Sequence, residues 1–192
     1  MIELITVFAI SFITIFIADL GDKTQFIVLS LSSRHSPYRV LGSTIAAFFI
    51  LVALSVLLGQ FISELLPALY ISLIGGTIFI LTGIFTLVKK EKPLHVKNTA
   101  GFPIIVQTFL MIFFAELGDK TLLATIALTA LYQKPLAVFG GALAAQTISH
   151  GIVAFLGGKY LSSISDKQLK FVSAAVFLII GFLILWSGIS KL

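Results

Sequence analysis

Asp19-Leu20-Gly21-Asp22-Lys23-Thr24 sits in the middle of a long apolar run, and Glu116-Leu117-Gly118-Asp119-Lys120-Thr121 sits in the middle of another, 97 positions later. These two stretches decide the fold. A charge at the centre of a membrane helix costs about 2.5–3.5 kcal/mol on insertion scales. A chain that carries four carboxylates and two lysines at such depth, in the same pattern twice, carries them for a reason.

The likeness of the two stretches extends outward. Val40-Leu41-Gly42 matches Val138-Phe139-Gly140, Ala46-Ala47 matches Ala144-Ala145, and Phe79–Gly83 matches Phe177–Gly181, now at an offset of 98. Self-similarity at a fixed period marks a repeat. The pattern predicts residues 1–88 as one three-helix repeat, 89–102 as a basic cytoplasmic linker, and 103–192 as a second three-helix repeat. Three crossings are an odd number, so the second copy is expected upside down relative to the first. Inverted repeats of this kind place a transporter's site at their interface near the midplane.

Composition agrees with a membrane setting. Of 192 residues, 58% are hydrophobic and only 11% charged, with a mean hydropathy of +1.12. Soluble domains carry about 25% charge. Six segments are long and apolar enough to cross a bilayer, namely Leu4–Leu31, Val40–Phe61, Ile71–Val88, Pro103–Leu131, Leu136–Leu156 and Leu169–Ile189. Their unbroken hydrophobicity predicts helices rather than alternating barrel strands. The expected class is therefore an all-α integral membrane protein with six transmembrane helices in two inverted repeats. The short loops leave no room for a soluble catalytic domain, so an enzyme is not expected. The absence of cysteine excludes disulfides, thiolate metal sites and a cysteine nucleophile. The net charge of +5 does not predict nucleic-acid binding, because the positive residues lie in short loops.

Those loops predict orientation. Arg34, Arg39, Lys89, Lys90, Lys92, Lys97, Lys159, Lys167 and Lys170 fall on one side, against Lys134 and Lys191 on the other. The positive-inside rule places both termini outside the cytoplasm, in a multi-pass protein of the inner (plasma) membrane. Met1-Ile2-Glu3 lacks a positive n-region, so no cleaved signal is expected.

The acids carry the chemistry. Asp19, Asp22, Glu116 and Asp119 make up half of the eight Asp and Glu residues. Each i, i+3 pair is expected on one helical face, about 4.5 Å apart along the axis. Two such faces meeting at the repeat axis bring four carboxylates together with Lys23 and Lys120, a formal sum of −2 that one divalent cation neutralises. Carboxylates suit hard ions such as Mn²⁺, Mg²⁺ and Ca²⁺. Thr24 and Thr121 add hydroxyl oxygens, and Gly21 and Gly118 allow the helices to open. Crowded carboxylates also take up protons, which makes metal/proton exchange a natural mechanism. The bland alternative is a set of helix-tying ion pairs such as Asp19 with Lys23 at i, i+4.

The doubled acid-x-Gly-Asp-Lys-Thr motif resembles that of the Gdt-type cation transporters, a family of MneA-like bacterial manganese exporters and Golgi manganese/calcium–proton exchangers. The likeness covers nearly the whole chain. Glu116–Thr121 matches the family pattern Glu-x-Gly-Asp-(Lys/Arg)-(Thr/Ser) in full, whereas Asp19–Thr24 has Asp for the first Glu. The resemblance implies that the four motif acids are cation ligands and that the partners are a divalent metal ion, protons and the lipid bilayer. It implies Mn²⁺ efflux more than Ca²⁺ exchange, with a Ca²⁺/H⁺ antiporter as the alternative. The metal is cargo, and no resident cofactor is expected. The oligomeric state is left open.

Weaker signals complete the reading. Gln146 and His150 lie at i, i+4 in the fifth span, where the first repeat has Phe48 and Val52. They are candidates for a proton relay or pathway lining, although interhelical hydrogen bonding is the commoner role. Gln107 is read likewise. The glycine pairs 75–76, 140–141 and 157–158 lack the P-loop context and predict close helix packing or helix ends. An intramembrane aspartyl protease is disfavoured because its Gly-x-Gly-Asp signature lacks its first glycine in both motifs. A passive channel fits flexible motif glycines less well than alternating access does.

Overall fold

The computed structural model describes residues 2–88, 102–160 and 166–190. These residues form eight helices: α1 (Ile2–Asp19), α2 (Lys23–Ser32), α3 (Pro37–Leu65), α4 (Ala68–Val88), α5 (Ile104–Glu116), α6 (Lys120–Tyr132), α7 (Pro135–Tyr160) and α8 (Asp166–Ile189). The chain is an all-α membrane protein. Five helices, α1, α3, α4, α7 and α8, are long and apolar enough to cross a bilayer by themselves. The linker at 89–101 lies outside the described residues.

Two of the expected spans are corrected. Leu4–Leu31 and Pro103–Leu131 are not continuous helices. Each breaks at its motif, leaving α1 and α2 on either side of residues 20–22 and α5 and α6 on either side of 117–119. The cause is local. Gly21 and Gly118 have φ of 73° and 78°, in the left-handed region that cannot propagate a right-handed helix. The motif thus interrupts the hydrophobic run in structure as it does in sequence.

Packing follows membrane rules rather than soluble ones. Phe85, Phe114, Phe182 and Trp186 face outward, while Thr14, Thr44, Thr108 and Thr121 are buried. With lipid outside, apolar burial drives little, so small residues and polar contacts set the helix approaches. α1 packs on α7, α4 on α8, and α3 against α5, α6 and α7. A Cβ on Gly141 would lie 2.5 Å from the Phe8 carbonyl oxygen, so only glycine lets α7 come this close to α1. Gly76 and Gly181 play the same part between α4 and α8, where either Cβ would lie 2.9 Å from the other residue's carbonyl oxygen. The glycines expected to serve packing do so at these positions.

Candidate cation site between the two helix breaks

Each break turns an acid pair into two differently placed groups. Asp19 closes α1, and Asp22 caps the start of α2 with extended dihedrals of −71° and 158°. Asp119 caps α6 in the same way, with −80° and 167°. A carboxylate beside the exposed N–H groups of a helix start is favoured by the peptide dipoles. The turns are closed by Asp22 N–H donating to the Asp19 carbonyl at 3.1 Å and Asp119 N–H donating to the Glu116 carbonyl at 3.0 Å. In the first turn, Gly21 N–H also donates to Gln25 Oε1 at 2.9 Å.

The lysines pair across the molecule. Lys23 Nζ lies 2.9 Å from Asp119 Oδ1, and Lys120 Nζ lies 3.0 Å from Asp22 Oδ1. The local Asp19–Lys23 tie read from the sequence is therefore corrected. That i, i+4 geometry needs a continuous helix, and the break removes it. For the same reason, neither acid pair shares one helical face.

Three carboxylates converge. Asp22, Glu116 and Asp119 each offer an oxygen within 4.8 Å of the others. Glu116 accepts hydrogen bonds at both oxygens, from Thr24 Oγ1 and from Thr121 Oγ1, each at 2.8 Å. The expected fourth member, Asp19, stands apart from this group. Its Oδ2 accepts from Ser149 Oγ and lies 3.1 Å from His150 Nδ1. Asp19, Asp22 and Glu116 are all buried, and Asp119 nearly so.

His150 joins the two environments. Its Nε2 lies 3.2 Å from Thr24 Oγ1, and its Nδ1 lies 3.0 Å from the Gln146 carbonyl. Thr24 Oγ1 also lies 3.2 Å from Asp22 Oδ2, so this one hydroxyl touches Asp22, Glu116 and His150. Gln146 meets His150 through its backbone rather than through a side-chain pair. Gln107 is buried in α5.

Two carboxylate oxygens, Asp19 Oδ1 and Asp119 Oδ2, are buried without a hydrogen-bond donor among the described residues. A buried acceptor without a partner costs about 1–3 kcal/mol, more when charged. A cation at the Asp22–Glu116–Asp119 cluster would remove that cost for Asp119 Oδ2. The donor set is all oxygen and suits a hard divalent ion.

Sequence reasoning missed three residues. Gln25 closes the first turn, Ser149 holds Asp19, and Ser173 on α8 donates to the Ile17 carbonyl at 2.8 Å, steadying the end of α1. Ser149 carried a weak signal, being next to His150 on a polar stretch of α7. The other two carried none, because they act on backbone groups freed by the break.

Fold and site together define a helical membrane protein whose two interrupted helices meet at a carboxylate cluster. A family model described as divalent cation/proton antiporter GDT1 matches residues 7–93 and 104–192, and the chain belongs to this family. Protein PAM71, chloroplastic, from Arabidopsis thaliana is 33% identical over 90% of this chain and 54% of its own length. The GDT1-like protein sll0615 of Synechocystis is 30% identical over 97% of this chain and 100% of its own length. The chloroplastic GDT1-like protein 1 of rice is 31% identical over 92% of this chain and 60% of its own length. The chain thus spans little more than half of the plant relatives and all of the cyanobacterial one. No solved structure matches it.

Proposed function

We propose that the chain is a secondary transporter that moves a divalent cation out of the cell in exchange for protons, with Mn²⁺ as the favoured cargo. The observation that carries this reading is the convergence of Asp22, Glu116 and Asp119 from two different helix breaks, with oxygens within 4.8 Å of one another. Asp19 completes the charge. With Lys23 and Lys120 the group sums to −2, so one divalent ion or two protons neutralise it. That equivalence is the basis of exchange.

The architecture proposed is two inverted three-crossing halves, with α1–α2 and α5–α6 each forming one interrupted crossing. Both termini then lie outside the cytoplasm. The crossed lysine pairs support the reading. Each lysine holds a carboxylate of the other half while the site is without metal, so the cation must compete for oxygens that are already paired. Mn²⁺ is placed ahead of Ca²⁺ by the resemblance to manganese exporters, because an all-oxygen donor set accepts both ions.

Transport by the purified protein in liposomes tests this. Mn²⁺ is expected to move and to respond to an imposed pH gradient. Asp22→Asn and Asp119→Asn should each lower the rate by about 100-fold, at the upper end of what altered metal shells cost. Unchanged transport in both variants would sink the carboxylate site. Insensitivity to the trans pH would remove the exchange, and Ca²⁺ transport without Mn²⁺ competition would establish the calcium alternative.

A further inference from the structure

Beyond the acid cluster, the seam between α3 and α6 carries polar residues that the family motif does not explain. A cavity of about 10 Å³, room for about one water, lies beside Glu116 and is lined by Ser55, Thr121, Thr125 and Gln146 among others. Further along the same two helices is a larger cavity of about 250 Å³, lined by Gln60, Ser63, Glu64, Thr129, Gln133 and Pro135. Between them the helices touch at Gly59. A Cβ there would lie 2.5 Å from the Ile126 carbonyl oxygen and 2.7 Å from Thr129 Cβ.

The chemistry of the lining suits a cation. Ser55, Thr125 and Thr129 each donate their hydroxyl proton to the carbonyl four residues earlier, at 2.7, 2.8 and 2.8 Å. Their protons are spent inside their own helices, so what each offers the seam is oxygen lone pairs. Gln146, only 4% exposed, has its Oε1 buried without a hydrogen-bond partner among the described residues. Glu64 adds a carboxylate at the outer cavity.

The counterpart seam, between α2 and α7, is different. At the repeat offset, Val28 stands for Thr125, Val153 for Ser55 and Phe48 for Gln146. Val28, Val153 and Phe48 are buried together in one apolar cluster. Beyond the Thr24–His150 contact beside the acids, these three positions offer oxygens at one seam and apolar side chains at the other.

Resting on the transport reading above, we infer that the α3–α6 seam is the cation's route between the acid cluster and the Gln60–Gln133 end of the molecule, closed in this conformation by the Gly59–Thr129 contact. Ser55, Thr125 and Thr129 are its oxygen ladder, and the cavity at Glu64 is its outer vestibule. On the positive-inside orientation this end is non-cytoplasmic, the release side for an exporter.

Because the chain has no cysteine, single-cysteine variants report the route directly. Ser63→Cys and Thr129→Cys, and Val28→Cys and Val153→Cys for the apolar positions of the α2–α7 seam, are placed in liposomes and exposed to a membrane-impermeant cationic thiol reagent. Ser63→Cys and Thr129→Cys should react and lose Mn²⁺ transport on reaction, while Val28→Cys and Val153→Cys stay unmodified and active. Thr129→Val should slow transport by about tenfold and Thr129→Ser should retain it, because valine removes an oxygen that the passing cation meets. Mn²⁺ binding to the acid cluster, measured in detergent, should survive both the reagent and Thr129→Val. Binding that persists also reports that the variants are folded. Full transport after complete modification of Ser63→Cys and Thr129→Cys would overturn the route, as would modification confined to the α2–α7 seam. In either case the acid site stands if Asp22→Asn and Asp119→Asn still abolish transport. If those two variants transport normally, the failure belongs to the site itself.

Discussion

The two motifs differ by one methylene, and their surroundings differ far more. Glu116 is long enough to accept from Thr121 of its own half and from Thr24 of the other, and it sits with Asp22 and Asp119. Asp19, at the matching position, is taken instead by Ser149 and His150 on α7. The positions on α3 that match Ser149 and His150 are Leu51 and Val52, which wall the cavity beside Glu116. Near-symmetric motifs have therefore been given unlike neighbours. One acid belongs to the cluster, and the other is anchored beside it. Equivalent sequence in two halves does not imply equivalent roles.

Neutralising each acid in turn tests this difference most severely. Glu116→Gln should lower Mn²⁺ transport by about 100-fold, as loss of a first ligand, and Asp19→Asn by about tenfold, as loss of a neighbour to the site. Equal losses measured in liposomes would show that Asp19 is a ligand of the same standing. A smaller effect is expected at the crossed pairs. Lys23→Met removes the partner of Asp119 and makes the cluster more negative. Mn²⁺ affinity should rise by several-fold, about 1 kcal/mol for one partly exposed charge, while release slows. A binding titration that shows weaker affinity would mean that Lys23 positions Asp119 rather than competing for it. Acidification should weaken binding in every one of these variants that keeps a carboxylate, because metal and protons compete for the same oxygens. The smallest effect on Mn²⁺ binding is expected at Gly118. No atom lies within 4 Å of a Cβ built there, so Gly118→Ala meets only the penalty of its left-handed φ. That is about 1–2 kcal/mol, visible as a small drop in melting temperature with Mn²⁺ binding retained.

Much of this was open to reading from the residues. The membrane class follows from charge scarcity, and the importance of the motif follows from charge at depth. The motif glycines mark points where a helix can open, and Gly21 and Gly118 take the backbone that requires. The consequences of the break were not legible. An i, i+4 rule pairs Asp19 with Lys23 only if the helix continues. Once it stops, Lys23 starts a new helix and finds Asp119. The anchoring of Asp19 depends on how α7 packs on α1, through Gly141, which no local pattern encodes. Thr125 and Thr129 read as ordinary small residues in an apolar helix. Their meaning comes only from Ser55 and Gly59 on the helix opposite.

The crossed lysines also bear on how the protein is made. Lys23 and Asp119 are 96 residues apart in the chain. At about 5–20 residues per second of synthesis, the first motif waits on the order of 5–20 s before its partner exists. During that time Asp22 and Lys23 must enter or await the bilayer without Lys120 and Asp119, the partners that pair their charges. The first half is thus made before the residues that pair its charges, and the second half brings those residues to it.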